Sequence, residues 1–383
     1  MPIFDQGYQH WKGQLSGHAW RWLAITRHGV RIGMQGRVFR AVLLVSLLPA
    51  MALATALCIW GLVERRSDLV STIVQFLVSA QILSPGIVDD PRHYRLEIWT
   101  LCYNFFLSCE LTLSMILILL VGPNLISQDL RFNALPLYLS RPLRRIDYLA
   151  GKLGVIAAFL GLAIIVPCLL SYGLGLLFSL DFSIVKDTYR LLLASVAYGV
   201  VIILSAGMLI LALSSLTRNS RWVALFFLGI WIVSNIASGL LELADREQRR
   251  IAFNREMTAA APQKTPAPKT REERRRRMEV MNAAQAERLE KLEAQQTEAS
   301  KSDWRPLVSY TGNLSRVGRQ LLRTDACWEK LSEVQPLALR KRFLATWTGP
   351  QYPWYWSAGV LSGLFVLSAV ILSFSVRSLD RLR

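Results

Sequence analysis

The chain is short of the side chains that most enzyme chemistry uses. Its 383 residues include four histidines, His10, His18, His28 and His93. No two of them lie at the spacing that puts a pair of metal ligands on one helical face, and His-Glu-x-x-His is missing. No Gly-x-Ser-x-Gly elbow occurs. The Gly-Lys of AGKLG (150–154) is followed by Leu153 where a phosphate loop needs Ser or Thr, and the glycine five residues earlier is missing. A metal site, a serine-hydrolase elbow and a phosphate loop are thereby excluded. Cysteine is scarce as well. Cys58, Cys102, Cys109 and Cys168 lie in or beside apolar runs and Cys327 stands alone in a polar segment, which argues against a disulfide framework or a thiolate cluster.

Charge is missing from six long stretches: Ala41–Val63, Leu111–Gln128, Leu153–Leu180, Leu191–Thr217, Trp222–Leu241 and Gln351–Val376. Each reaches the length of a bilayer-spanning helix. Trp99–Cys109 extends the second run backward across one charge, Glu110. Six such runs with little amphipathic sequence to cover them exclude an ordinary soluble helical protein. The first run is long enough to span rather than to serve as a short signal core, so the first helix is expected to do its own targeting.

The net charge is +17. On a soluble chain that would suggest nucleic acid. Here it follows the bias of cytoplasmic loops toward Lys and Arg. Six spans put both ends on one side. On that side residues 1–40, 127–152, 218–221 and the C-terminal tail carry 16 Lys and Arg, against 6 in segments 64–98 and 181–190. Both termini are therefore expected in the cytoplasm, with no nucleic-acid partner. Segment 244–350 is too long for its charge to set its side.

The chain divides into four parts. Residues 1–40 are polar and basic, and 18–37 mix Trp20, Trp22, Leu23, Ile25, Val30 and Ile32 with four arginines, as a helix in the headgroup layer does. Residues 41–243 hold the first five spans. Residues 244–350 are charged, with a Pro-rich linker at 259–269. The stretch 271–304 that follows is dense in helix formers, with apolar positions too sparse for a heptad seam. Leu314, Val317 and Leu321 then share a helical face away from Arg316, Arg319 and Arg323, which reads as a second interfacial helix. Residues 351–383 give the last span and a basic tail, with Tyr352, Trp354, Tyr355 and Trp356 as an aromatic belt. The fold expected is an all-α membrane protein. It has six transmembrane helices, an amphipathic N-terminal interfacial helix and a large, mostly helical extracytoplasmic insertion before the last span.

Two polar groups stand inside the spans. Glu110 is expected to face the bundle interior, a partner or water, on a transport path or subunit interface; alternatively it snorkels, or is satisfied by Asn104 or Ser108. Asn235 reads as glue between helices.

The connection between the second and third runs is unusually basic and aromatic: QDLRFNALPLYLSRPLRRIDYLAGK, Gln128–Lys152. A short amphipathic helix fits, with Pro136 in its first turn and a break before Pro142. This stretch resembles the first cytoplasmic loop of ABC transporter permeases of the exporter class. Asp129, Arg131, Ala134, Leu135, Leu139, Ser140, Arg141, Pro142, Arg145, Asp147, Tyr148, Gly151 and Lys152 match that loop. The resemblance implies a coupling helix that docks on a separate ATP-binding subunit through Asp129, Arg131, Leu135, Tyr138, Ser140, Arg141, Pro142 and Arg145, with Tyr148, Gly151 and Lys152 as the hinge into the third span. It also implies a second permease chain, ATP and Mg on the partner rather than on this chain, and a bacterial cytoplasmic membrane. Residues 244–350 exceed the short outer hairpin of many such permeases. The alternative reading, a membrane-anchored assembly or sensing protein, rests on that segment.

Overall fold

The computed structural model describes residues 20–79, 85–134, 144–179, 183–259, 302–334 and 352–377, with Arg275, Met278 and Glu298 besides. Among them there are helices and connecting turns and no strand. Six helical segments are long and apolar enough to cross a membrane. The second span extends beyond its apolar run to Arg95, where the charges at its end are paired.

Helix α1 (Arg21–Gly33) precedes the first span, which is built from α2 (Arg37–Val45) and α3 (Leu47–Glu64). The break at Ser46 follows from Pro49, whose missing N–H leaves the Val45 carbonyl without its helical donor. Short helices α4 (Asp68–Ser79) and α5 (Pro85–Asp89) lead to the second span, α6 (Arg95–Arg131). Pro123 removes the donor to the Leu119 carbonyl, and in the next turn of α6 the fourth span enters the ladder. Ser214 Oγ accepts from Ile126 N at 3.1 Å and Ser127 N at 3.0 Å and donates to the Pro123 carbonyl at 3.0 Å.

The third span is α7 (Arg145–Leu160) and α8 (Val166–Phe178), joined by a π turn at Gly161–Ile165. The π turn precedes Pro167, which cannot donate to the Ala163 carbonyl. Helix α9 (Ser183–Leu216) is the fourth span. The fifth is α10 (Ser220–Leu228) and α11 (Ser234–Ala259), again joined by a π turn, Gly229–Val233. A 3₁₀ turn at Arg305–Val308 then leads into α12 (Tyr310–Leu322) and α13 (Thr324–Ser332), and α14 (Trp354–Arg377) is the sixth span.

The core lies between the second, third and fourth spans, where Tyr103, Phe106, Met115, Ile164, Ile202 and Ile210 are fully buried. Outward-facing apolar residues such as Leu170, Leu193 and Leu240 are exposed, as a lipid-facing surface requires. The first, fifth and sixth spans are the least covered by this chain.

Where the sequence suggests a second interfacial helix, α12 is packed against the protein. Leu314 and Val317 are buried as expected, yet Leu321 is exposed and Leu322 takes its place. Gly318 lies so close to the Tyr198 ring that a Cβ would come within 2.6 Å of it. The Tyr310 hydroxyl meets Ser205 Oγ at 3.0 Å, deep in the fourth span. The α12 apolar face is thus covered by the α9 helix. The expected Pro-rich linker and the charged stretch at 271–304 lie almost wholly outside the described residues.

Candidate functional site: the root of the second–third span connection

The second span ends in a Schellman arrangement. Ala134 N donates to the Asp129 carbonyl at 2.9 Å and Asn133 N to the Leu130 carbonyl, with Asn133 at φ 51°. Asparagine tolerates that left-handed backbone better than most residues. The third span begins at Arg144, whose N–H donates to Asp147 Oδ2 at 3.1 Å. Asp147 thereby caps the helix and sets a negative charge against its positive end.

Between these two caps lies a clamp. Asp129 Oδ2 accepts from the Tyr148 hydroxyl at 2.7 Å and forms an ion pair with Lys152 Nζ at 2.6 Å. Lys152 Nζ also sits 5.4 Å from the centre of the Tyr148 ring. Tyr148 is wholly buried and Lys152 nearly so. One carboxylate on α6 thus holds two side chains one turn apart on α7, where water screens the pair weakly.

Helix α1 closes the other flank of α7. The Thr26 hydroxyl lies 3.0 Å from the Gly151 carbonyl. A Cβ on Gly151 would come within 2.7 Å of the Ile25 Cβ, and one on Gly154 would overlap the Thr26 hydroxyl. On the α1 side, Gly29 and Gly33 face Val155 and Phe159 as tightly. Glycines on both helices allow the two backbones to approach, the packing mode used within membranes.

The sequence-predicted residues therefore separate into groups. Asp129, Tyr148, Gly151 and Lys152 come together as the buried root of the connection. Arg131 is exposed and Arg145 half-buried at its rim. Leu135, Tyr138, Ser140, Arg141 and Pro142 lie outside the described residues. Phe132 and Ile146, which the sequence reading passed over, flank the connection and are 72% and 76% exposed. Each stands beside an arginine, where hydropathy averaging conceals it. Exposed apolar side chains at the ends of the spans, on a rigid base, suit a protein partner.

The other two polar candidates lie elsewhere. Glu110 is completely buried, and neither carboxyl oxygen has a hydrogen-bond partner among the described residues; Ser114, one turn on, has none among them either. Ser108 bonds the Asn104 carbonyl, so neither residue satisfies Glu110. Asn235 joins the fifth span to the start of α12, its Oδ1 accepting from Ser309 Oγ and Thr311 Oγ1 at 2.7 Å each.

At the opposite ends of the spans a second set of charges is paired. Arg95 Nη2 meets Glu64 Oε2 at 2.6 Å with both side chains buried, and Asp187 lies 3.7 Å from Arg95 Nη1. Lys330 of α13 pairs with Glu97 at 2.7 Å.

The model of the ABC-2 family transporter proteins matches residues 25–249, from within α1 through the fifth span. The chain belongs to that family. It is a multi-pass membrane permease of an ABC system, and permeases of this kind work with an ATP-binding subunit. Comparison with curated proteins gave no match. The clamp and both helix caps lie inside the matched region of this ABC-2 permease, whereas α12, α13 and the sixth span lie beyond it.

Proposed function

We propose that this chain is the membrane half of an ATP-driven exporter, and that its connection between the second and third spans is the docking surface for a separate ATP-binding subunit. The observation that carries this reading is the clamp. A connection without a mechanical task has no need of a buried carboxylate tying both its ends together, nor of Phe132 and Ile146 held outward at its base. Force applied to such a loop passes into two spans at once instead of being lost in loop motion. In this reading Leu135, Tyr138, Ser140, Arg141 and Pro142 complete the contact, and Arg131 and Arg145 flank it. ATP and Mg bind the partner, and this chain supplies no catalytic residue. Two permease chains assemble in the bacterial cytoplasmic membrane with both termini and the connection in the cytoplasm. That orientation sets α13, at the far ends of the spans, on the extracytoplasmic side, with α12 reaching from there along the fourth span.

The test is to purify the permease with its candidate ATP-binding subunit and measure association and ATP hydrolysis. Arg141→Glu, Tyr138→Ala and Phe132→Ser are expected to weaken association and lower permease-dependent hydrolysis by about tenfold each, the scale of a contact near 1.4 kcal/mol. Unchanged association and turnover in all three variants would sink the docking reading.

A further inference from the structure

The second span ends in two charge pairs, one of which belongs to no part of the docking surface. At its loop end Asp129 holds Lys152 and Tyr148. At its far end Glu97 holds Lys330 of α13, outside the region that matches the family. Lys330 is well placed for that task. Its ammonium is 2.7 Å from Glu97 Oε1, donates to the His93 carbonyl at 3.2 Å and lies 5.8 Å from the centre of the Tyr94 ring. The Glu97 side chain is buried and its second oxygen, Oε2, has no partner. If α13 lifted, a buried carboxylate would lose its cation, which is strongly unfavourable. Glu97 and Asp129 are 32 positions apart on one helix, about 48 Å at 1.5 Å per residue. Between them the turn after Pro123 is tied to the fourth span by Ser214.

We propose that Lys330 and Glu97 form a latch that holds the 302–334 segment on the bundle, and that the second span transmits movement of the Asp129–Lys152 clamp to that latch. The segment is seated within the bundle. Its α12 helix is seated against Tyr198 and Ser205 of the fourth span, and Asn235 ties its entry to the fifth. Contacts that reach into the bundle at several spans hold it in one seated position, and the Lys330 pair is the contact made on the second span's own carboxylate. Movement of that span therefore acts first on the latch. This inference takes from the docking reading only what would move the clamp; the latch and its transmission stand on contacts within the chain.

Cys327 reports on the latch. It is one turn from Lys330, buried against Thr100, and burial raises its thiol pKa. Both facts slow its reaction with maleimide while α13 is seated. The experiment measures the labelling rate of the Cys327 peptide by mass spectrometry in the full-length permease, in lipid nanodiscs, without any ATP-binding subunit. Lys330→Met is expected to raise the rate about tenfold, the effect of losing a pair worth near 1.4 kcal/mol. Lys330→Arg should keep the rate near that of the parent, which guards against a merely misfolded variant. Asp129→Asn, 48 Å away by the same helical rise, should raise it roughly threefold. Gly173→Ala, which has open space around it, should leave it unchanged. A rate in Lys330→Met within twofold of the parent overturns the latch. A raised rate in Lys330→Met with no change in Asp129→Asn overturns the transmission. Because the partner is absent from this measurement, failure of the association assay and failure of the latch are separate results.

Discussion

Asp129 and Lys152 stand 23 positions apart in sequence and 2.6 Å apart in space, so the second and third spans are fastened together where the chain leaves one and enters the other. The pair is largely shielded, with side-chain exposures of 14% and 11%. Its loss therefore costs more than that of a surface pair. Lys152→Met is expected to lower stability by about 1–3 kcal/mol, since it leaves a shielded carboxylate with only the Tyr148 hydroxyl. Tyr148→Phe should cost about 1 kcal/mol, the net value of one hydrogen bond. Thermal unfolding in detergent, followed by differential scanning fluorimetry, checks the order of the two.

Glycine substitutions should divide sharply by position. Gly151→Ala puts a methyl against Ile25 and the Trp22 carbonyl, and Gly122→Ala puts one into Ile210. Each is expected to destabilise by about 1–3 kcal/mol, the range for overpacking. Gly173→Ala meets nothing within 4 Å and should be neutral, or stabilising by up to about 1 kcal/mol through helix propensity. Equal effects at all three positions would refute the close approach of α1 to α7.

The buried Glu64–Arg95 pair predicts non-additivity. Arg95→Leu leaves the Glu64 carboxylate buried and uncompensated, and should cost about 3–5 kcal/mol. Glu64→Leu together with Arg95→Leu should recover most of that loss, because the desolvation of both charges disappears with them. A double-mutant cycle on unfolding midpoints gives the coupling directly. Asp187, 57% exposed in its side chain, should contribute little.

Glu110 offers the reverse case. Neither carboxyl oxygen nor the Ser114 hydroxyl has a partner among the described residues, so the native residue is a burden on the fold. Glu110→Met is expected to raise the stability of the permease by about 1–3 kcal/mol, the penalty of a buried unsatisfied polar group. Unfolding midpoints decide this. A protein that becomes more stable while its transport declines would mark Glu110 as retained for function.

Six spans could be read from the sequence because an apolar run of bilayer length has one dominant structural solution. Their ends were harder to read. The second run reads from Leu111, with Trp99–Cys109 appended, yet the helix begins at Arg95. Arg95 and Glu97 look like loop charges until Glu64 and Lys330, far away in sequence, are brought beside them. The order Asp129…Tyr148…Gly151-Lys152 was visible as a motif, but its physical content was not. Hydropathy cannot show that Gly151 serves the approach of α1, or that Lys152 turns inward to Asp129. The amphipathic face of α12 misled for a related reason. Periodicity tells which side is apolar and not whether lipid or protein covers it, and here Tyr198 and its neighbours do. Asn235 was read as glue between helices, and its bond from Thr311 joins the fifth span to α12, with Ser309 at the α12 cap as a second partner.

The π turns at Gly161–Ile165 and Gly229–Val233 bear on how such a chain can change over generations. Each holds one residue more than an ordinary turn, and the surplus is absorbed locally. Removing a single residue there restores the ordinary ladder and leaves the flanking faces pointing as before, so that Tyr148 still meets Asp129 and Cys168 still offers its carbonyl to Tyr103. The third and fifth spans can thus gain or lose a residue in mid-helix, a place where such an edit elsewhere would rotate half the helix by about 100° and strip the core of its partners.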